Sequence, residues 1–120
     1  MKISTAESVV MGALWRRSPL SAEDIVAEVA GPQGWSEPTV KSLINRLLRK
    51  KAIGATPEGR RYLYSPLVAR EDYVRAESKG LLDRLFDGRL APMVSHLSQG
   101  GALSPEDVAE LKRLIAELDE

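Results

Sequence analysis

The side chains best placed to do chemistry in this 120-residue chain lie between Trp35 and Arg61, and they are of kinds that bind rather than react. Thr39, Lys41, Ser42, Asn45, Arg46 and Arg49 are interleaved with Val40, Leu43, Ile44, Leu47 and Leu48. At 100° per residue the apolar set makes one helical stripe, while Ser42, Asn45, Arg46 and Arg49 fall opposite it, flanked by Thr39 and Lys41. A helix of this kind grips its own scaffold with one side and offers hydroxyls, an amide and cations on the other. Those groups suit duplex DNA, whose major groove, about 12 Å wide, admits one helix. Thr39 and Ser42 are short enough to bring the backbone near base edges, and Asn45 has the amide that pairs with adenine. Lys41, Arg46 and Arg49 suit phosphates, as do Arg60 and Arg61 further on, which can reach the backbone or an adjacent minor groove.

Reactive chemistry has little to work with. There is no cysteine, so disulfides, thiolate nucleophiles and cysteine-based metal sites are excluded, and His96 is the one histidine. His96 lies among Met93, Val94 and Leu97 and reads as structural. No glycine-rich phosphate loop is present. The expectation is no enzyme, no metal and no cofactor. Trp15 and Trp35 are isolated aromatics that read as packing residues, because single-strand binders present several stacking rings. Tyr62 and Tyr64 alternate along a strand and read as wing packing or a phosphate contact.

Positioning these groups requires a defined order of elements. Ser4 with Glu7 forms a capping box, which predicts a first helix over residues 5 to 17. Ser21 opens a second, short helix that Gly31 and Pro32 should end. Gly31 to Trp35 reads as a turn, somewhat longer than a minimal one, and Ser36 caps the third helix with Pro38 in its first turn, ending near Lys50. Residues 53 to 56 and 61 to 64 are strand candidates around a Pro57-Glu58-Gly59-Arg60 turn, a β-hairpin with arginines near its tip. From about Ala69 the chain reads as helical, with breaks at Asp87-Gly88 and Gly100-Gly101 and a last helix capped by Ser104. The expected fold is mainly α with a small β wing: a winged helix-turn-helix head over 1–69 and a helical dimerisation domain over 70–120.

Charge follows the same division. The formal net charge is zero, yet residues 1 to 70 carry 11 basic and 6 acidic side chains, and residues 71 to 120 carry 6 and 11. The first part suits a polyanion and the second another protein chain. Leu81, Leu82, Leu85, Met93, Val94, Leu97, Leu111, Leu114, Ile115 and Leu118 are more apolar surface than a three-helix tail can bury alone, so a second copy is expected to cover them. A twofold dimer would set two recognition helices about 34 to 36 Å apart, one turn of DNA. The opening residues lack the pattern of a signal peptide, and no apolar run approaches the ~20 residues needed to span a bilayer, so a cytoplasmic location is expected. The rival reading is a winged-helix protein-interaction adaptor without DNA binding.

Taken in order, Ile3 to Trp15, Ser21 to Val26 and Ser36 to Leu47 resemble the first, second and recognition helices of the penicillinase-repressor group, the BlaI/MecI/CopY regulators. The likeness covers essentially the whole chain, and Thr39, Ser42 and Arg46 match that family's DNA-facing positions. The resemblance implies a homodimeric repressor that occupies a palindromic operator, commonly of β-lactam-resistance or stress genes, and dimerises through its C-terminal helices. It also implies release by a membrane sensor metalloprotease. Where better known members have an Asn-Phe scissile pair, this sequence has His96-Leu97, a departure at the proteolytic position. The cysteine-rich motif of copper-responsive relatives is missing.

Overall fold

The computed structural model describes residues 1–119. The elements are α1 (Thr5–Arg16), β1 (Leu20–Ser21), α2 (Ala22–Gln33), α3 (Glu37–Arg49), β2 (Ile53–Glu58), β3 (Arg61–Pro66), α4 (Arg70–Phe86), α5 (Leu90–Gln99) and α6 (Pro105–Leu118). They fall into two compact units, Met1–Tyr73 and the residues from Val74 onward.

In the first unit, α1 starts where its capping box requires. The Glu7 amide donates to Ser4 Oγ at 3.1 Å and the Ser4 amide to Glu7 Oε1 at 2.8 Å, satisfying two otherwise orphaned donors. Ser21 and Asp24 repeat the arrangement for α2, and Ser36 caps α3. The inward faces meet in one core: Val10, Met11, Ala13 and Leu14 from α1, Ile25 and Val29 from α2, and Val40, Leu43, Ile44 and Leu47 from α3. Leu48, at the edge of the α3 stripe, is only half-buried.

Two expectations about this unit are corrected. The second helix does not stop at Gly31-Pro32. It runs through Pro32 to Gln33, and Gly34 turns the chain at φ 69°. The Trp35 amide donates to Ala30 O at 2.9 Å and the Gly34 amide to Gly31 O at 3.2 Å, the paired bonds of a Schellman end. Trp35 packs against the core, and Pro32 sits in the last turn, where it forgoes the bond to the Glu28 carbonyl while the paired bonds around Gly34 still close the helix end. The interval to α3 is therefore three residues, Gly34, Trp35 and Ser36, the minimal helix-turn-helix spacing.

The second correction concerns the wing. The strands extend to Glu58 and from Arg61, leaving only Gly59-Arg60 as the turn. Gly59 takes the positive φ (62°) that the first position of a tight hairpin turn demands. Pro57 is tolerated because β2 is an edge strand of a sheet ordered β1-β3-β2. A third strand joins the predicted pair: Leu20 and Ser21 pair antiparallel with Tyr64 and Leu63, tying the wing's base to the start of α2.

The second unit contains α4 from Val74 onward, α5 and α6. Residues 87 and 88 both take positive φ after α4, and Gly101 does so after α5. Ser104 and Asp107 form a capping box at the start of α6. Among the described residues, every buried side chain lies between Ile3 and Ile53, so α4, α5 and α6 enclose no core of their own.

Candidate nucleic-acid interface

The face of α3 opposite the core is entirely exposed: Thr39, Lys41, Ser42, Asn45, Arg46 and Arg49 all stand in solvent, whereas Val40, Leu43, Ile44 and Leu47 are buried. Burial of the stripe fixes the rotation of the helix about its axis, and with it the direction of the polar face. Glu37, Pro38, Lys41, Ser42, Asn45 and Arg49 border one open hollow along this face. Arg60 and Arg61 lie exposed at and beside the wing turn.

The cations of this surface are not equivalent. Among the described residues Arg46, Arg49 and Arg60 make no ion pair. Lys41 instead reaches Glu37 one turn earlier, 2.9 Å away, and its pKa is raised by that hydrogen bond and the nearby negative charge. Arg61 pairs with Glu58 across the wing turn at 3.0 Å, and its pKa is raised for the same reason. The hydroxyl of Thr39 lies 2.9 Å from that of Ser36, within the cap. Sequence reasoning overlooked Glu37 and Glu58. The i,i+4 spacing of Glu37 to Lys41 was the available signal for the first.

Lys50 turns away from this basic run. Its ammonium donates to Glu7 and, at 2.8 Å, to the Lys2 carbonyl. Glu7 is 1% exposed, and its second oxygen has no partner. Burial pushes its carboxyl pKa up, but the hydrogen bonds from Lys50 and Ser4 outweigh that and hold it below the usual range. This ion pair joins the end of α3 to the start of α1. At the other end of α1, the Trp15 indole N–H donates to Val68 O at 2.8 Å, and its ring centroid lies 5.3 Å from that of Tyr73. The first tryptophan is thus a packing residue, as is Trp35; Tyr64 packs on the core and Tyr62 is exposed.

A family model described as penicillinase repressor matches residues 3–117. The chain belongs to the penicillinase repressor family. A penicillinase repressor from Bacillus licheniformis is 31% identical over 116 residues, covering 97% of this chain and 91% of that protein. The solution structure of monomeric B. licheniformis BlaI in complex with the blaP half-operator superposes with a TM-score of 0.55 at 32% identity, over 61% of this chain and 89% of that one. MepR, described as a transcription regulator of a Staphylococcus aureus multidrug efflux pump, matches 98% of this chain and 78% of its own with a TM-score of 0.56. At 22% identity that likeness shows the winged-helix fold alone.

The remaining candidate positions of this penicillinase-repressor family member lie in the second unit. Leu81, Leu82 and Leu85 are on α4, Met93, Val94 and Leu97 on α5, and Leu111, Leu114, Ile115 and Leu118 on α6; each is half-buried or exposed. Leu90, Val94, Leu103, Val108, Leu111 and Ile115 help line an apolar hollow of about 830 Å³ between α5 and α6. His96 and Leu97 are exposed, but they lie inside α5, and the His96 ring is 6.3 Å from Phe86. Among the described residues no group of His, Cys, Asp or Glu could hold a metal, and no helix is long and apolar enough to cross a membrane.

Proposed function

We propose that this chain is a transcriptional repressor and not an enzyme: a homodimer whose winged helix-turn-helix heads occupy the two halves of a palindromic operator in duplex DNA. The observation that carries the reading is the orientation of α3. One side is locked into the core, and the other presents two hydroxyls, an amide and free arginines in a chain of this family. The half-operator complex of BlaI, a relative 32% identical, supports the same use of the head here. In this reading Thr39, Ser42 and Asn45 approach base edges, Arg46 and Arg49 grip phosphates, and Arg60 on the wing adds a backbone contact. Residues 1–69 form the DNA-binding part and residues 70–120 the dimerisation part, which gains from a second copy the core it lacks alone.

Release follows from weakening the dimer. A lone head neutralises about half as many phosphates, and affinity built on counterion release falls steeply as that number drops. A sensor protease cutting at His96-Leu97 would have to unwind α5 first, since the bond lies in regular helix. Gel-shift titration over DNA upstream of the chain's own gene, at two salt concentrations, tests the function. Specific binding that weakens with salt is expected; absence of binding to any duplex favours the adaptor reading.

A further inference from the structure

We infer that Glu37 and Lys41 together form a specificity element that reads a C·G base pair. The inference rests on the reading of α3 as the helix that enters the major groove. Glu37 is the first residue of α3, exposed, with its carboxylate 2.9 Å from the Lys41 ammonium, and both side chains border the same hollow as Ser42 and Asn45. In helix-turn-helix complexes the residues at the start of the second helix are the ones that meet base edges.

An acidic side chain at that place opposes a polyanion at every sequence unless it finds a donor. The major groove offers only two, the N4 amine of cytosine and the N6 amine of adenine. The neighbours of those amines decide between them. In a C·G pair, N4 lies beside guanine O6, with N7 a second acceptor beyond it, so a carboxylate next to an ammonium meets a donor next to two acceptors. In an A·T pair, N6 is flanked on both sides by acceptors, N7 and O4, and a carboxylate over N6 meets lone pairs to either side. The Glu37-Lys41 couple therefore matches C·G in both charge and order. Paired in this way, Lys41 is a base reader and not one more phosphate clamp, unlike the unpaired Arg46 and Arg49.

The test uses the full chain and a pool of duplexes with randomised half-site positions, sequenced after the bound fraction is separated. The parent protein should enrich C·G at one position of each half-site, by on the order of tenfold over A·T. Glu37→Ala should lose that preference at that position alone, and Lys41→Ala should weaken it. Glu37→Gln should transfer it towards A·T, because a carboxamide is bidentate to adenine. Both positions are exposed, so the substitutions leave the core intact. Sequence-selective binding by the parent with an unchanged profile in Glu37→Ala and Glu37→Gln would overturn the inference while leaving the proposed function standing, and so would a uniform gain in affinity across all sequences. No enrichment by the parent protein would overturn both.

Discussion

At the scale of single residues, two charged groups next to each other in sequence have opposite duties. Arg49 is unpaired and exposed, whereas Lys50 serves the buried Glu7. Glu7 has its pKa depressed in the folded chain, so its contribution to stability is present above the ordinary carboxylate range and is lost as pH falls through the lower folded value. Lys50→Met should strand the carboxylate, cost about 1–3 kcal/mol in denaturant unfolding, and move acid unfolding to higher pH. An unaltered acid midpoint would show that the cap hydrogen bonds from Ser4 suffice. Arg46→Ala belongs to the other class: it should weaken operator binding by about 1–3 kcal/mol with the dimer intact by light scattering. Equal affinity in the variant would remove α3 from the interface. Arg46 was legible in sequence because it lies opposite an apolar stripe. Lys50 was not, because its partner is 43 residues away.

At the scale of elements, caps and stripes predicted the starts of α1, α2, α3 and α6 to within a residue, since each N-cap bond is made within three residues of sequence. Ends fared worse. Gly31-Pro32 reads as a stop, but docking of Trp35 and the left-handed turn at Gly34 carry α2 two residues further. That turn sets the angle between α2 and α3. Gly34→Ala forces a Cβ into a left-handed conformation with no neighbour in the way, so the cost is backbone strain of about 1 kcal/mol, read as a lower denaturation midpoint. A variant as stable as the parent would mean that the turn relaxes freely. The wing was foreseen as a hairpin, yet β1 was not: two residues carry no periodic signal, and their pairing with Leu63 and Tyr64 depends on the close approach of distant segments.

At the scale of the whole molecule, the charge division has a structural counterpart. Among the described residues, the basic part contains all the buried ones, while the acidic part leaves Leu114 at 44%, Ile115 at 57% and Leu118 at 83% exposure. Full burial of a wholly exposed side chain of this kind contributes about 1.5–3 kcal/mol, so a second copy gains the share of it that each residue still exposes. Leu114→Asp puts a carboxylate beside the apolar hollow of α5 and α6, and should give monomers that bind operator poorly. Sedimentation checks the first half of that expectation and gel shift the second. A variant that still sediments as a dimer would move the interface away from α6.

The sequence by itself determined what is local or periodic: the caps, the two-sided character of α3, the order of three helices and a hairpin, and the apolar excess of the tail. These depend on hydrogen bonds within one turn and on side-chain spacing along one element, both of which are written in consecutive residues. Tertiary structure decided which basic side chains remain free. Lys50 was drawn inward by a buried carboxylate, and the third strand formed only when the chain folded back on itself. Neither depends on neighbouring residues, because each brings together groups that are close in space but distant along the chain.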